Sequence, residues 1–238
     1  MLRLCALAVV LMLLGACATS PSGTGDNTIC EASGNTIRVV GATNGAMLAC
    51  MEKFQNYGRV EITSAGGSVR SAIAIGKKLA TMQVELTVVD YCESSCANYL
   101  VPVARTLVVR SGARIVLHGS VDEWAVARGA PINLYETQRV FAEAHSIPPG
   151  WLLMRTETDA LNRRHGSSIV FVDGSDSTGD AMFIIVEPEF LASCLPKLAA
   201  IWEAPTYINT TRSSPRLTRS LQDQGFRSSG AMRCSGSP

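Results

Sequence analysis

The chain has 238 residues, of which 47% are hydrophobic and 17% are charged, and its formal net charge is +1. This length and composition suit one domain with a substantial apolar core. A charge so close to neutral excludes the strongly basic proteins that bind nucleic acid, and nothing in it indicates an acidic substrate.

The N-terminus combines one basic residue, an apolar run from Leu4 to Leu14 and a cysteine preceded by small residues. This pattern is typical of a secretory signal, and the run is too short to remain as a membrane-spanning helix. The ending L-G-A-C resembles the lipobox of bacterial lipoproteins, which implies cleavage before Cys17 and its acylation. Ala18 after the cysteine implies, by the same resemblance, anchoring in the outer membrane facing the periplasm. The alternative is a plain secretory signal with a chance cysteine.

Composition shifts divide the chain into four expected parts. We expect a signal peptide over residues 1–16 and a lipid-anchored, flexible tether rich in Ser, Gly, Pro and Thr over 17–29. A single domain is expected over 30–204 and a polar tail over 205–238.

Eight cysteines are present, and an even number in an exported chain indicates disulfides. Cys5 lies in the predicted signal peptide and Cys17 is the predicted lipid site, which leaves six candidates: Cys30, Cys50, Cys92, Cys96, Cys194 and Cys234. We expect two pairs, Cys30–Cys50 and Cys194–Cys234, each fastening a terminal segment to the core. Cys92 and Cys96 either bridge across a turn or stay as thiols. The cysteine and histidine spacing matches no zinc pattern, so no metal is expected.

Strand-like and helix-like segments alternate between residues 36 and 118. The predicted strands are Thr36–Val40, Arg59–Thr63, Val84–Val89, Leu107–Val109 and Arg114–Leu117, and the predicted helices are Asn44–Phe54 and Val69–Met82. Strands that alternate with helices through short links predict right-handed βαβ crossovers and a largely parallel sheet. The fold class is therefore α/β.

The stretch Asp90–Leu100, D-Y-C-E-S-S-C-A-N-Y-L, lies between a predicted strand and a second apolar segment. We expect a sharp turn and then a helix that begins at Ser94 or Ser95. A hydroxyl at a helix start lies beside free backbone N–H groups, which stabilise the negative charge that forms during acyl transfer. An ordinary N-cap serine occupies the same position and is the commoner role for an isolated Ser-Ser pair.

Three motifs in order favour the catalytic interpretation: S-A-G-G-S-V (Ser64–Val69), S-S-C-A-N-Y-L (Ser94–Leu100) and A-R-I-V-L-H-G (Ala113–Gly119). Together they resemble the Clp protease proteolytic subunit, signal peptide peptidase A and bacterial periplasmic proteins with a C-x-S-A-C-type segment. The resemblance covers residues 36–120 and implies the ClpP/crotonase fold, a single domain of repeated β-β-α units. The periplasmic set matches best, because Cys92 and Cys96 bracket the serine.

The resemblance implies a role for each matched residue. Ser95 corresponds to the nucleophile, His118 to the general base, and the backbone N–H groups of Gly67 and Cys96 to the oxyanion hole. A hydroxyl needs such an imidazole to accept its proton, and a strand end holds a base rigidly. Attack by the thiol of Cys96 or Cys92 is an alternative.

The acid of the triad is the least defined member. Asp180 matches the family position loosely, and Asp173 and Asp176 compete with it. Signal peptide peptidase A uses a lysine instead, and the candidates Lys53, Lys77, Lys78 and Lys197 do not match its position. Without an acid the protein would be slow or inactive.

The resemblance is weaker beyond residue 120. The elements expected there are helices within Val121–Ser146, Trp151–Arg164 and Glu187–Ile201 and strands at Ser168–Asp173 and Met182–Val186, with a hairpin around Gly174–Gly179. By the family resemblance, the first of these helices implies assembly into a homo-oligomer, and His145 is expected to be a surface or packing residue on it.

Three functions follow as hypotheses. The first is a membrane-anchored periplasmic serine hydrolase that acts on a peptide or protein without metal, nucleotide or other cofactor. The second is an inactive ClpP-like lipoprotein that binds or scaffolds other molecules. The third is a crotonase-type acyl-CoA enzyme, which is disfavoured because CoA is not expected outside the cytoplasm.

Overall fold

The computed structural model describes residues 28–121, 123–127, 129–152, 183–203, 227–228 and 234. The strands are β1 Ile29–Ser33, β2 Thr36–Val40, β3 Arg59–Ser64, β4 Glu85–Glu93, β5 Thr106–Val109, β6 Arg114–His118, β7 Phe183–Ile185, β8 Ala199–Trp202 and β9 Arg227–Ser228. The helices are α1 Gly45–Lys53, α2 Val69–Met82, α3 Ser95–Tyr99, α4 Glu123–Ala127, α5 Ile132–Ala144 and α6 Pro188–Cys194, with a 3₁₀ turn at Val101–Val103.

The described strands form one mixed sheet in the order β1-β2-β3-β4-β6-β7-β9. Strands β2, β3, β4 and β6 run parallel, whereas β1 and β7 pair antiparallel with β2 and β6. Helices α1 and α2 connect successive parallel strands, which is the βαβ pattern. The predicted α/β class is confirmed.

Strand β4 has two different neighbours along its length. Its first half pairs with β5 and its last residues, Tyr91–Glu93, pair with β6, while β8 extends the β5 branch. The chain therefore brings the end of β4 directly beside β6. The candidate nucleophile and the candidate base lie at these two strand ends.

Helix α2 covers the sheet with one apolar face. Ala72, Ile73, Ile75 and Leu79 are buried, and the helix occupies the same residues that the three-and-four spacing predicted. Each large aliphatic side chain buried in this way contributes roughly 1.5–3 kcal/mol. Ser68 begins the helix, since its hydroxyl accepts a hydrogen bond from the N–H of Ser71.

The strand predicted to end at Val89 is longer in the structure. Strand β4 continues through Asp90 and Tyr91 to Glu93, because these residues find a second partner strand in β6. The predicted strand end at Val89 is therefore wrong, whereas the sharp turn expected before the helix is present and lies at Ser94.

The last helix is also shorter than predicted. A helix over Glu187–Ile201 is wrong, because α6 ends at Cys194 and residues Ala199–Trp202 form β8 beside β5. Pro196 has no N–H to continue a helix and disfavours helical geometry at the residue before it.

Three cysteine pairs lie at disulfide distance. The Cα atoms are 6.2 Å apart in Cys30–Cys50, 5.3 Å in Cys92–Cys96 and 4.8 Å in Cys194–Cys234. The two expected pairs, Cys30–Cys50 and Cys194–Cys234, are confirmed. For Cys92 and Cys96, where the sequence leaves both a bridge and free thiols open, the structure has the bridge. The Cys194–Cys234 pair ties residue 234 of the tail to α6, and β9 adds a strand of the tail to the sheet.

Several predictions fall outside the described residues. These are the signal, the lipid site and most of the tether, the strand Ser168–Asp173, the hairpin around Gly174–Gly179 and all but the start of the helix Trp151–Arg164. Within the described ranges, the helices are too short or too polar to cross a bilayer. The same ranges hold no cluster of three or more His, Cys, Asp or Glu side chains arranged for a metal ion.

Candidate active site

Ser95 is the first residue of α3, and the residue before it makes the turn. Ser94 has φ +53° and ψ −127°, donates its N–H to the carbonyl of Val116 at 2.8 Å, and makes no side-chain cap hydrogen bond. A positive φ is unusual for serine and indicates that the surrounding structure holds Ser94 in this conformation. Neither serine therefore acts as an ordinary side-chain N-cap, and the turn between strand and helix presents Ser95 at the helix start.

The hydroxyl of Ser95 is buried against a residue that lies outside the three sequence motifs. Ser95 is 2% exposed and Thr43 is 0% exposed, and their hydroxyl oxygens lie 2.7 Å apart. Thr43 lies in the loop between β2 and α1, and no spacing rule in the sequence relates it to Ser95. The folded chain therefore gives the candidate nucleophile a hydroxyl neighbour in addition to the predicted imidazole.

The two glycines of the first motif pack against different backbone segments, Gly66 against the serine turn and Gly67 against Thr43. A Cβ atom on Gly66 would lie 2.6 Å from the carbonyl oxygen of Glu93 and 3.0 Å from the backbone nitrogen of Ser95. A Cβ on Gly67 would lie 3.0 Å from the carbonyl oxygen of Thr43. Both glycines have a positive φ, 83° and 153°, which favours glycine. The sequence motif is therefore explained by close packing of three backbone segments.

The N–H of Gly67 is turned away from Thr43. In the parallel bridge between Thr43 and Gly67, the hydrogen bond from the N–H of Thr43 goes to the carbonyl of Gly66, at 3.0 Å. In a parallel bridge with this hydrogen bond, the N–H of Gly67 points away from the segment that carries Thr43. An N–H that points away from its bridge partner is compatible with the oxyanion role that the resemblance predicts for Gly67.

Cys96 occupies the second position of α3, where a backbone N–H has no acceptor within the helix. Its side chain is bonded to Cys92 at the end of β4, and both residues are fully buried. The bridge spans the Ser94 turn and holds it from both sides. Because neither sulfur is a thiolate in this bond, the thiol alternative to Ser95 has no support here.

His118 ends β6 beside the same helix. The side-chain amide of Asn98 donates to the carbonyl of His118 at 2.7 Å and to the hydroxyl of Ser120 at 3.0 Å. Since Asn98 lies one helical turn after Ser94, the backbone of His118 is fixed close to the serine turn. The structure therefore brings together the three segments carrying Gly67, Ser95 and His118.

A buried polar network continues from this point. Tyr99 donates to the side-chain oxygen of Gln138, whose amide donates to the carbonyl of Val121 at 3.1 Å. Burial raises the pKa of Tyr99 far above its usual value, against a smaller opposing effect of its hydrogen bond with Ser120. The phenol therefore stays neutral and holds the segment after His118 against α5.

A carboxylate and a guanidinium share the sheet face of His118. Glu93 pairs with Val116 and Tyr91 with Arg114, so side chains at 93, 114 and 118 point to one side of the sheet. Glu93 is 3% exposed and Arg114 is 5% exposed. Burial lowers the pKa of Arg114, and the negative charge of Glu93 opposes that shift. Neither residue is among the predicted site residues, although Glu93 directly precedes the serine pair.

The remaining candidates lie elsewhere. Asp180, Asp173 and Asp176 are outside the described residues, so the third triad position stays a prediction. His145 follows α5, and its ring centroid lies 4.6 Å from that of Phe141, as expected for a packing residue. Burial, and then the charge of Lys77, lower the pKa of His145.

Comparison with known proteins gives structural neighbours only. No family model and no curated protein matches the sequence. Solved structures that match include an enoyl-CoA hydratase from Shewanella pealeana, with 10% identity over 82% of this chain and 71% of the other and a TM-score of 0.38. A protein assigned as an enoyl-CoA hydratase/isomerase from Novosphingobium aromaticivorans has 12% identity, covers 84% and 80%, and has a TM-score of 0.40.

An enoyl-CoA hydratase from Thermoplasma volcanium has 15% identity and a TM-score of 0.31 over 38% of this chain, which spans only 50% of that protein. At such identities and TM-scores, these similarities carry no conclusion about the reaction. The α/β architecture rests on the strand pairing described above.

Proposed function

We propose that the chain is a serine hydrolase of the ClpP/crotonase type that cleaves a peptide or another acyl substrate. Ser95 attacks the substrate carbonyl, His118 accepts the hydroxyl proton, and the N–H groups of Gly67 and Cys96 stabilise the oxyanion. His118 then gives that proton to the leaving group as the scissile bond breaks, and water, activated by the same imidazole, releases the acyl group from Ser95. The observation that carries the proposal is the contact between the glycine and serine turns, in which the Cβ position of Gly66 lies 3.0 Å from the nitrogen of Ser95.

This contact matters because acyl transfer needs N–H donors fixed beside the nucleophile. Donors that are already oriented stabilise the oxyanion without reorganising, and loss of one of them typically lowers the rate by a factor of about 10²–10³. The burial of Ser95, the Cys92–Cys96 bridge and the hydrogen bond from Asn98 to His118 all restrict movement around the serine turn. These features support a preorganised site.

A carboxylate that orients His118 completes the proposed mechanism. Asp180 is the residue that the family resemblance implies for this role, and it accepts a hydrogen bond from the imidazole in the proposed triad. Such a carboxylate sets the tautomer of the imidazole and stabilises the imidazolium. Glu93 offers a second carboxylate on the sheet face of His118.

A non-catalytic binding protein is the second candidate. It is favoured by the 2% exposure of Ser95 and by the hydrogen bond of its hydroxyl to Thr43, since a hydroxyl held in this way is closed to substrate at rest. As a binding module, the chain would keep the fold and lack turnover.

A fluorophosphonate probe separates these two functions. We expect covalent labelling of the wild type and none of Ser95→Ala or His118→Ala, because the probe reacts with an activated serine. Ser94→Gly is the matched control, since glycine tolerates the positive φ at this position and leaves Ser95 in place. Absence of labelling in folded wild type, or unchanged labelling of Ser95→Ala, would contradict the hydrolase.

We also propose that the protein is anchored in the outer membrane through acylated Cys17 and faces the periplasm. Cleavage and acylation leave two or three acyl chains, enough for stable anchoring. Fractionation of cells that express wild type and Cys17→Ser tests this. The wild type should sediment with outer membranes and the variant should not, and equal membrane association of both would contradict the anchor.

Assembly into a homo-oligomer is part of the proposal. Helix α5 carries two exposed apolar side chains, Ile132 and Val140, which are 56% and 52% exposed and which a contact with a second copy would cover. Size-exclusion chromatography with light scattering should give a multimer for wild type and a smaller species for Val140→Lys. A monomeric wild type would contradict assembly.

A further inference from the structure

Thr43, which lies outside the predicted motifs, contacts the candidate nucleophile. It is fully buried, and its hydroxyl lies 2.7 Å from that of Ser95, which is 52 residues away in the sequence. A buried hydroxyl needs a hydrogen-bond partner, and each of these two residues provides one for the other. This pairing has consequences for how Ser95 reacts.

The backbone of Thr43 is held in place on both sides. Its N–H donates to the carbonyl of Gly66 at 3.0 Å, and it forms a parallel bridge with Gly67. The next residue, Asn44, begins α1, and its side-chain oxygen accepts the N–H of Met47 at 3.0 Å. Because threonine is β-branched, few side-chain rotamers remain once the backbone is fixed. The direction of the Thr43 hydroxyl is therefore set by the fold.

Thr43 connects the nucleophile to the predicted oxyanion donor. Its backbone contacts the glycine segment that carries the N–H of Gly67, while its side chain contacts Ser95. A Cβ on Gly67 would come within 3.0 Å of the Thr43 carbonyl oxygen, so the two backbones lie in close contact. A single residue thus contacts both the proposed attacking oxygen and the segment that carries the proposed oxyanion donor.

The number of protons on the two hydroxyls decides the direction of the hydrogen bond during reaction. Each hydroxyl has one proton to donate and two lone pairs that accept. When Ser95 gives its proton to His118, it has none left for Thr43, so Thr43 must donate to Ser95. One lone pair of Ser95 then accepts from Thr43, and the other faces the substrate carbonyl.

We propose that Thr43 is a positioning residue that donates its hydroxyl proton to Ser95 and orients that oxygen for attack. The inference rests on the proposed function, because it concerns how the same serine reacts. Thr43 does not contact the substrate in this arrangement and acts through Ser95. A purely structural hydroxyl pair would change stability alone and would leave the reaction of folded protein unchanged.

Inactivation kinetics with a fluorophosphonate probe test the inference, with rates normalised to the folded fraction of each variant. For Thr43→Val we expect the maximal inactivation rate to fall by about tenfold, which is the size of one lost hydrogen bond. The probe concentration at half-maximal rate should stay unchanged, since probe binding does not involve Thr43. Thr43→Ser keeps the hydroxyl and should recover most of the rate.

Thr87→Val is the matched control, because Thr87 is also buried and lies in β4 away from the serine turn. It should react as the wild type does. If Thr43→Val fails to fold, Thr43→Ala removes the same hydroxyl without a second methyl group and should show the same loss of rate.

The outcomes separate this inference from the function on which it rests. Labelling of wild type together with an unchanged maximal rate in Thr43→Val, or in Thr43→Ala, overturns the positioning role and leaves the hydrolase standing. A loss of rate that Thr43→Ser does not recover also overturns it, because the hydroxyl is then not the cause. No labelling of folded wild type overturns both.

Discussion

Gly66 is the residue on which the contact between the first motif and the serine turn depends most directly. Its φ is +83°, and a Cβ atom there would lie 2.6 Å from the carbonyl oxygen of Glu93 and 2.8 Å from the Cβ of Ser94. Both of these atoms belong to the backbone turn that precedes Ser95 or to a side chain on it. Added volume at this position therefore displaces the nucleophile or separates the two turns.

We predict that Gly66→Ala destabilises the protein and abolishes labelling of Ser95. Gly34→Ala is the matched control, because Gly34 also has a positive φ, +56°, but has nothing within 4 Å of its Cβ position. The control should lose about 1 kcal/mol from backbone strain, whereas Gly66→Ala should lose about 2 kcal/mol more from overpacking. Urea unfolding measures both, and equal losses would contradict the close contact.

Tyr57 couples stability to alkaline pH. It is 4% exposed, its hydroxyl has no hydrogen-bond partner within the described part of the chain, and burial raises its pKa from 10.0 to about 12. The unfolded protein therefore releases this proton at a lower pH than the folded protein does. The neutral phenol of Tyr57 therefore contributes to the free energy of unfolding in full below pH 10, and this contribution is lost as the pH rises through about 12.

We predict that Tyr57→Phe makes stability less sensitive to pH in that window. Some loss of stability at alkaline pH should remain in the variant, because burial also raises the pKa values of Tyr91 and Tyr99. At neutral pH the variant should gain about 1 kcal/mol, since the buried hydroxyl is removed. Urea unfolding of both proteins below pH 10 and between pH 10 and about 12 provides the comparison. The same pH dependence in both would show that the phenol is solvated.

At the scale of elements, α2 is packed unusually close to its neighbours. A Cβ on Gly76 would lie 2.6 Å from the carbonyl oxygen of Tyr99 in α3 and 2.9 Å from the ring of Phe141 in α5. Tyr99 and Phe141 also meet edge to face, with ring centroids 6.0 Å apart. Helix α3, which carries Ser95, therefore packs directly against α2 at Gly76.

Gly76→Ala should therefore destabilise the protein, against the normal helix preference. In an open helix this change stabilises by about 1 kcal/mol, but here the carbonyl of Tyr99 belongs to the backbone and must move. We expect a net loss of about 2 kcal/mol. Gly45→Ala in α1, where nothing lies within 4 Å of the Cβ position, should be neutral or stabilising. Thermal unfolding of both variants decides, and a stabilised Gly76→Ala would contradict the packing.

Across the whole molecule, disulfides of different span constrain different properties. Cys194–Cys234 closes a separation of 40 residues and Cys92–Cys96 a separation of 4 residues. The chain-entropy relation gives about 4 kcal/mol for the first and about 2 kcal/mol for the second. The longer link fastens the C-terminal segment to α6, whereas the shorter one encloses the candidate nucleophile.

Replacing each pair with alanines should separate stability from activity. Loss of Cys194 and Cys234 should lower the free energy of unfolding more, while loss of Cys92 and Cys96 should reduce labelling of Ser95 more. Denaturant unfolding gives the free energy of unfolding of each double variant, and probe kinetics give its rate of Ser95 labelling. If the Cys194 and Cys234 variant were also the one with slower labelling, the assignment of the short bridge to the site would be wrong.

Local periodicity by itself determines most of the central elements. The bounds of α2 and the start of α1 just after its N-cap Asn44 follow from helical spacing and capping residues, which depend only on nearby sequence. The glycine pair and the serine turn are recognisable as short motifs for the same reason. Their contact was an expectation of the family resemblance.

Tertiary pairing decided the rest. Strand β4 continues past Val89 because β6 provides a partner there, and Ala199–Trp202 is a strand because β5 lies beside it. No local pattern contains that information. Thr43 carries no sequence signal for the same reason, since only the folded backbone places its hydroxyl against Ser95 across 52 residues of chain. Sequence therefore determined most of the central elements and the reactive residue types. Tertiary structure determined the remaining strands and which side chains meet, because contacts between distant segments depend on the three-dimensional packing of the sheet.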